Sequence, residues 1–446
     1  MRKVGPVGMT SIECVTVGCK LNQFETELMR EAAREELGAA PDEKARQICI
    51  VNTCTVTAKS DYRSRQAVRR AIKANPGALI VVTGCYAQRR PEEVAAIEGV
   101  DVVLGNAEKD RIADFVRLPK QARAQIWANP ASEIRWRADR CLHRFGDYTR
   151  AFVKIQDGCN NCCSYCVVPS VRGRSRSKGA DEVIREIEVL SDSGYREVVL
   201  TGVHLGSYGQ DLRPATSLSC LLERIGEVPG VERIRLSSVE PTDFSDSLVE
   251  LLSDPSSKIC PHAHVPLQSG DDRILASMRR PYGSAFYREL IERIAQAVPR
   301  CGIGIDVIVG YPTEDEQAFG NTCKLIEDLP VSYLHAFAFS EREGTPACAL
   351  EPKVEPQVKR RRSRAVRDLG RRKAEAFRRG LVGNTLRVLV LRSRTDGHAT
   401  GLSGNYVRVT LDRDEPVNSI VSVKVTGVTN SGVSGEVLSG RDKARA

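Results

Sequence analysis

The chain runs to 446 residues and is 41% hydrophobic, long and apolar enough to bury the cores of two to four domains. Its formal net charge of +9 leans toward an anionic partner such as nucleic acid, although charge alone does not separate a nucleic-acid binder from an ordinary basic enzyme. No apolar run approaches the length of a membrane span and Met1-Arg2-Lys3-Val4-Gly5-Pro6 holds no signal core, so the expected setting is cytoplasmic, with no membrane partner.

Residues 1–120 alternate β-rich runs at 12–17, 48–51 and 79–83 with helical stretches such as 25–37 and 64–74, which reads as an α/β domain on a parallel sheet. Each run is followed within three residues by a cysteine: Cys19, Cys54 and Cys85. Strand C-termini of a parallel sheet share one edge, where ligands bind, so these three thiols are expected to converge. The chain has 15 cysteines, an odd number, which in a reducing compartment argues against a disulfide framework and for metal or catalytic use. Cys14 and Cys49 lie inside apolar runs and read as small core residues; Cys141, Cys220, Cys260, Cys301, Cys323 and Cys348 get the same default.

Residues 121–147 are charged and poorly periodic and read as a linker; both tryptophans, Trp127 and Trp136, fall in it. From 148 the alternation resumes, with strand-like runs at 151–155, 198–201, 234–237, 264–267, 303–309 and 333–339 and helices such as 180–190 and 287–297 between them. Six such units suggest a partial (β/α)6 barrel, whose reactive groups belong at the strand C-termini. Just past the first of these strands comes Cys159-Asn160-Asn161-Cys162-Cys163-Ser164-Tyr165-Cys166. Thiolates at this spacing select zinc or an iron–sulfur cluster. A structural zinc ion needs a fourth ligand; Cys162 could supply it, although it adjoins Cys163 and no second Cys-x2-Cys pair is present. Three ligands on a cuboidal 4Fe–4S cluster leave one iron open, which a reactive centre needs.

The later strand ends carry glycine or polar residues, among them Gly202, Ser238, Glu240, Gln268, Asp306 and the stretch Gly310-Tyr311-Pro312. Glycine admits close backbone approach to a ligand. His204, His262 and His264 read as positioning residues. An arginine-dense helix over 359–379 offers bidentate phosphate contacts, and Arg172, Arg174 and Arg176 would extend that surface toward the cysteine loop. Short β runs at 386–391, 407–411, 420–425 and 432–437 then read as a small antiparallel β domain over 381–446, following a central domain that ends with the basic helix near 380.

The spacing of Cys159, Cys163 and Cys166 is the signature of the radical S-adenosylmethionine (SAM) superfamily, and the flanks Lys154-Ile155-Gln156-Asp157-Gly158 and Val168-Pro169-Ser170-Val171-Arg172-Gly173-Arg174-Ser175-Arg176-Ser177 resemble the methylthiotransferases. Thr16-Val17-Gly18-Cys19-Lys20-Leu21-Asn22-Gln23-Phe24-Glu25, Asn52-Thr53-Cys54-Thr55-Val56-Thr57 and Thr83-Gly84-Cys85-Tyr86-Ala87-Gln88 resemble that family's N-terminal domain. The resemblance implies two 4Fe–4S clusters, one on Cys159, Cys163 and Cys166 that binds SAM and one, auxiliary, on Cys19, Cys54 and Cys85 that carries sulfur. It implies a 5′-deoxyadenosyl radical from SAM, a second SAM as methyl donor, Tyr165 against the adenine, Gly202, Ser238 and Glu240 toward the methionine and ribose, and Gln268 and Asp306 along the same cleft. The C-terminal position is similar to that of the RNA-binding TRAM domain. Expected partners are tRNA and an unidentified flavodoxin-type reductase, with the enzyme a monomer. Of the family's branches, the motifs look most like the one that acts on threonylcarbamoyladenosine in tRNA; isopentenyladenosine in tRNA and a ribosomal-protein aspartate are the alternatives, and a non-catalytic metal-containing RNA-binding protein is a more distant one. Three departures stand out: Cys162 replaces an aromatic residue, Ser170 is unusual, and Thr313 stands where glycine usually precedes Glu314.

Overall fold

The structure, a computed structural model, describes residues 11–38, 46–136, 141–395 and 397–438. It opens with five strands, β1 (Ser11–Thr16), β2 (Gln47–Thr53), β3 (Leu79–Gly84), β4 (Val102–Leu104) and β5 (Gln125–Trp127), paired in that order and all parallel. Continuous apolar runs suit this position: every residue of β3 is buried, and so is every residue of β2 after its first. Helix α1 (Lys20–Gly38) packs its Met29, Ala32 and Ala33 with Ile50 and Val81 on one face, while α2 (Ala58–Ala74) packs Val68 and Ala71 with Val51 and Val82 on the other. Thr57 caps α2, its hydroxyl accepting from the Ser60 amide.

The stretch read as a linker supplies the fifth strand. Three residues are too few to show a period; β5 exists because β4 offers it a paired edge, with Leu104 opposite Trp127. The Trp127 ring lies 5.6 Å from that of Phe115, and Lys154 sits over Trp136 at 5.1 Å.

Six parallel strands follow: β6 (Ala151–Lys154), β9 (Glu197–Thr201), β10 (Arg233–Leu236), β11 (His262–His264), β12 (Gly302–Val309) and β13 (Tyr333–Ala338), with a short hairpin, β7 (Gln156–Asp157) and β8 (Arg176–Ser177), after the first. They pair as β10-β9-β6 and β11-β12-β13, and parallel bridges Ile234–Ile259 and Ser238–His264 join the two halves into an open barrel. The fourth strand begins two residues before the run expected at 264 and ends at His264, although the Val265 and Leu267 amides still donate to the Gly304 and Asp306 carbonyls of β12. Thr313 adopts φ 69°, a left-handed conformation costly for a β-branched residue and free for glycine.

The helix Pro356–Arg379 turns Val366, Leu369 and Gly370 inward against the barrel. A Cβ on Gly370 would stand 2.7 Å from Leu334 Cγ, so only glycine allows this approach to β13. Beyond it, β14 (Thr385–Thr395), β15 (His398–Ser403), β16 (Arg408–Leu411), β17 (Ile420–Val428) and β18 (Val433–Val437) close a small barrel in the order β14-β15-β16-β18-β17. Its pairs are antiparallel except β16 with β18. β15, His-Ala-Thr-Gly-Leu-Ser, has no apolar alternation and is a strand by virtue of its two neighbours. No helix among the described residues is long and apolar enough to cross a membrane.

Candidate active site

Cys19, Cys54 and Cys85 stand just past the C-terminal ends of β1, β2 and β3, on one edge of the parallel sheet. Two glycines make their convergence possible. Gly18 has φ +119°, and a Cβ there would lie 2.8 Å from Cys54 Cβ; Gly84 has φ +102°, and a Cβ there would lie 2.3 Å from the Thr53 carbonyl oxygen. Burial pushes the Cys54 thiol up to about 11, with the neighbouring Cys85 and Cys19 adding to the rise. Cys85 Sγ accepts from Arg172 Nε at 3.3 Å.

The second set sits on one loop. Cys159 Sγ accepts from the Asn161 amide at 3.3 Å, Cys166 Sγ from the Val168 amide at 3.4 Å and Cys163 Sγ from Arg280 Nη1 at 3.2 Å. Burial, with Cys163 and Cys159 adding to it, pushes the Cys166 thiol up to about 12. Three sulfurs on one loop, each met by an N–H donor, suit a cationic centre that takes them as thiolates. Cys162 does not join them: it is exposed and its thiol faces the Asn160 carbonyl at 3.8 Å, which removes the fourth ligand a zinc site would want.

All three loop cysteines line a cleft of about 350 Å³, within the usual range for small-molecule sites. Tyr165, Glu240, Gln268 and Asp306 line it too. Gly202 and Ser238 stand outside the lining: Gly202 abuts the Gln156 side chain, and Ser238 Oγ lies 2.7 Å from His264 Nδ1. Val56 and Thr57, two and three residues past Cys54, form part of the wall, so the N-terminal domain covers the mouth of the barrel. Arg342 fastens this cover, donating to Thr55 Oγ1 at 3.1 Å and to Asp61. Arg280 was not singled out in the sequence; it pairs with Glu240 as well as Cys163, and no local pattern marks it.

Arg172 and Arg176 do not extend an outer phosphate-binding surface. Arg172 is buried and donates to Glu25 Oε1 (2.8 Å), Asn22 Oδ1 (2.8 Å) and Asp157 Oδ1 (3.0 Å) in addition to Cys85. Arg176 donates to Asp157 Oδ2 at 2.8 Å, leaving only Arg174 of the three exposed. The reason is charge: Glu25 and Asp157 are buried carboxylates that need cations, and although burial opposes ionisation, Arg172 and Lys154 hold both below the ordinary carboxylate range. Lys109 also meets Glu25. Arg172 therefore ties Cys85 to the base of the loop that carries Cys159.

The histidines are held by hydrogen bonds: His204 Nε2 by Asp243 at 2.7 Å, His262 Nε2 by the Tyr333 hydroxyl at 2.8 Å, and His264 by Ser238. Cys220 is exposed rather than a core residue, because it lies on the outer face of the helix Leu218–Glu227; Cys49, Cys260 and Cys301 are buried.

A family model described as "Uncharacterized protein family UPF0004" matches residues 11–105, and one described as "Radical SAM superfamily" matches residues 153–326. The threonylcarbamoyladenosine tRNA methylthiotransferase MtaB of Bacillus subtilis is 37% identical over 426 residues, covering 94% of this chain and 94% of that protein. The protein of the same name from Aquifex aeolicus is 36% identical, covering 92% of this chain and 98% of its own length. Relatives named tRNA-2-methylthio-N(6)-dimethylallyladenosine synthase, such as that of Clostridium tetani, reach 31%. Among solved structures, the radical SAM methyltransferase TsrM from Kitasatospora setae superimposes with a TM-score of 0.54 at 15% identity, covering 77% of each chain, a likeness of fold.

Proposed function

The chain belongs to the radical SAM methylthiotransferase family, and on that premise we propose that it adds a methylthio group to C2 of N6-threonylcarbamoyladenosine next to the anticodon of tRNA. The observation that carries this reading is the pair of three-cysteine sites, one at the edge of the N-terminal sheet and one on the loop after β7, joined through Arg172. In it, Cys159, Cys163 and Cys166 hold a 4Fe–4S cluster, and Cys19, Cys54 and Cys85 hold a second. A cluster of this type with SAM supplies one-electron chemistry able to activate an unreactive C–H bond.

The protein's own residues orient and enclose. Arg280 and the Val168 and Asn161 amides donate to the loop sulfurs, and Arg172 does so for Cys85. Tyr165, packed among Ile308, Tyr311 and Phe339, offers a flat wall for the adenine. Val56 and Thr57 form the part of the cleft wall that the N-terminal domain contributes.

Two features suit tRNA as the partner. On the helix Pro356–Arg379, Arg360, Arg364, Arg367 and Arg371 recur every three or four residues and are exposed. The stripe is about 16 Å long at 1.5 Å per residue. Among the described residues Arg360, Arg364 and Arg367 have no carboxylate partner. The helix runs from the cleft, where Lys359 sits over the Phe339 ring at 5.3 Å, to the C-terminal barrel, where Arg378 donates to the Asn430 carbonyl at 3.1 Å. That barrel acts as a TRAM-like RNA-binding domain, and the stripe guides the phosphate backbone between the two.

Nucleoside mass spectrometry of tRNA from a deletion strain tests the reading. The 2-methylthio form of threonylcarbamoyladenosine should vanish, return with the wild-type gene, and stay absent with Cys159→Ala or Cys54→Ala. Loss of the 2-methylthio isopentenyl nucleoside instead would assign the other tRNA branch, and unchanged nucleosides would sink the tRNA reading. Reconstituted protein should hold about eight irons, and each variant about four.

A further inference from the structure

β13 is the last strand of the open barrel, so its inner face borders the gap through which a substrate enters. In register with Gly304, Asp306 and Ile308 of β12 it presents Tyr333, His335 and Phe337. Tyr333 is largely covered and the His335 side chain is 56% exposed; Phe337, 43% exposed, and Asp306 line the cleft, and His335 adjoins it through Asp306. Two imidazoles share the one carboxylate here: Asp306 Oδ1 lies 3.1 Å from His335 Nδ1 and 3.3 Å from His264 Nε2. His264 is nine-tenths buried, and its Nε2 lacks a well-directed hydrogen bond. Its Nδ1 is engaged by Ser238. The bond from Nδ1 to Asp306 leaves His335 Nε2 without a partner among the described residues.

This cluster has a chemical counterpart in the substrate proposed above. A threonylcarbamoyl group carries ureido N–H donors, a hydroxyl and a carboxylate; a dimethylallyl group carries none. Seated beside His264, Asp306 and His335, an apolar substituent would leave buried polar atoms unpaired, which is how a polar site rejects an analogue lacking the matching group.

We infer that His335, oriented by Asp306 and binding as the imidazolium so that Nε2 donates as well as Nδ1, holds the threonyl carboxylate of the target nucleoside, with His264 and Ser238 holding Asp306 in place to accept from the ureido and hydroxyl groups. The site thereby selects the threonylcarbamoyl over the isopentenyl substrate, and Phe337 beside His335, ring centroids 6.4 Å apart, gives the base an apolar wall. This rests on the proposed substrate and adds the residues that read it. The same three side chains place their ligand atoms within 4.8 Å of one another, close enough for a divalent cation, so the test must separate direct reading from reading through an ion.

The experiment uses full-length, anaerobically reconstituted protein and three anticodon stem–loops carrying threonylcarbamoyladenosine, its threonyl methyl ester, or plain adenosine at the target position. Fluorescence anisotropy should show wild type preferring the free acid over the ester by about ten-fold or more. His335→Ala should bring the two to within about two-fold while leaving affinity for the plain stem–loop intact, and should raise KM more than it lowers kcat. His335→Asn, which keeps an N–H donor, should recover part of the preference. An unchanged preference in His335→Ala overturns the inference, as does a wild-type preference that disappears on removal of divalent cations and returns with Mn²⁺. Failure of the substrate reading looks different: wild type would not methylthiolate the threonylcarbamoyl stem–loop at all, whatever stands at position 335.

Discussion

Arg172 near the top of the catalytic barrel and Arg235 near its lower mouth are both buried and both cross a domain boundary, but they meet different chemistry. Arg172 is answered by side chains alone: two carboxylates, an amide and a thiol. Arg235 anchors on Glu197 at 2.8 Å and spends its other nitrogens on backbone, the Ser403 and Gly404 carbonyls at 3.0 and 2.8 Å. These carbonyls belong to the β15–β16 turn, which plugs the barrel so closely that a Cβ on Gly302 would lie 2.1 Å from the Asn405 oxygen. The upper joint therefore depends on particular residues, one of them a proposed cluster ligand. The lower joint depends on the path of a turn, which many sequences can supply.

Removing Arg172 should break the upper joint with the largest effect. Arg172→Met leaves Glu25 and Asp157 with fewer cations in a buried site, expected to cost about 3–5 kcal/mol in denaturant unfolding. Iron retained after reconstitution should fall toward about four per chain. Arg172→Lys should recover little, because a point charge cannot serve four partners as the guanidinium fork does. Wild-type stability with full iron in either variant would show that the two domains are held together elsewhere.

Acid should probe the lower joint with a somewhat smaller effect. Burial alone would raise the Glu197 carboxyl, but Arg235, Arg233 and Arg150 outweigh it and hold it at about 2, against an ordinary value of 4.5. A depressed carboxyl contributes stability that is complete above the unfolded value and is lost as pH falls through the folded one. The window is thus about pH 4.5 down to 2, and the linkage is worth about 3 kcal/mol. Glu197→Gln should flatten that part of the stability profile relative to wild type; a parallel profile would count against the joint.

The mildest change sharpens the contrast. Gly302→Ala pushes against the Asn405 carbonyl and should cost about 1–3 kcal/mol through overpacking. It should weaken tRNA binding, read by anisotropy, yet leave SAM cleavage in the absence of RNA unchanged. Equal losses in both would mean that the C-terminal barrel is not a separately docked unit.

The two cysteine sites differ in how far a linear reading reaches. Cys159, Cys163 and Cys166 share one loop, so their spacing is already geometry. Cys19, Cys54 and Cys85 come together only through a parallel sheet, yet the rule that strand C-termini share an edge made them legible. The glycines that permit the convergence, Gly18 and Gly84, were visible as residues, but not the positive φ they supply. Arg172 was misread as a surface arginine because its partner Glu25 lies 147 residues away, and no period in the chain encodes such a pair. Arg280 and His335 escaped for the same reason. The three-residue strand β5 had too short a run to reveal itself.

Sequence alone showed the main strand–helix alternation, the two sets of thiols as candidate ligands and the family, because strand alternation, local spacing and motif are properties of neighbouring residues. The folded chain decided which arginine meets a sulfur and which meets solvent, which strand ends line the cleft, and what plugs the barrel from below. Those outcomes turn on burial and on charges brought together from distant segments, and a buried ion takes its partner from whatever packing places beside it.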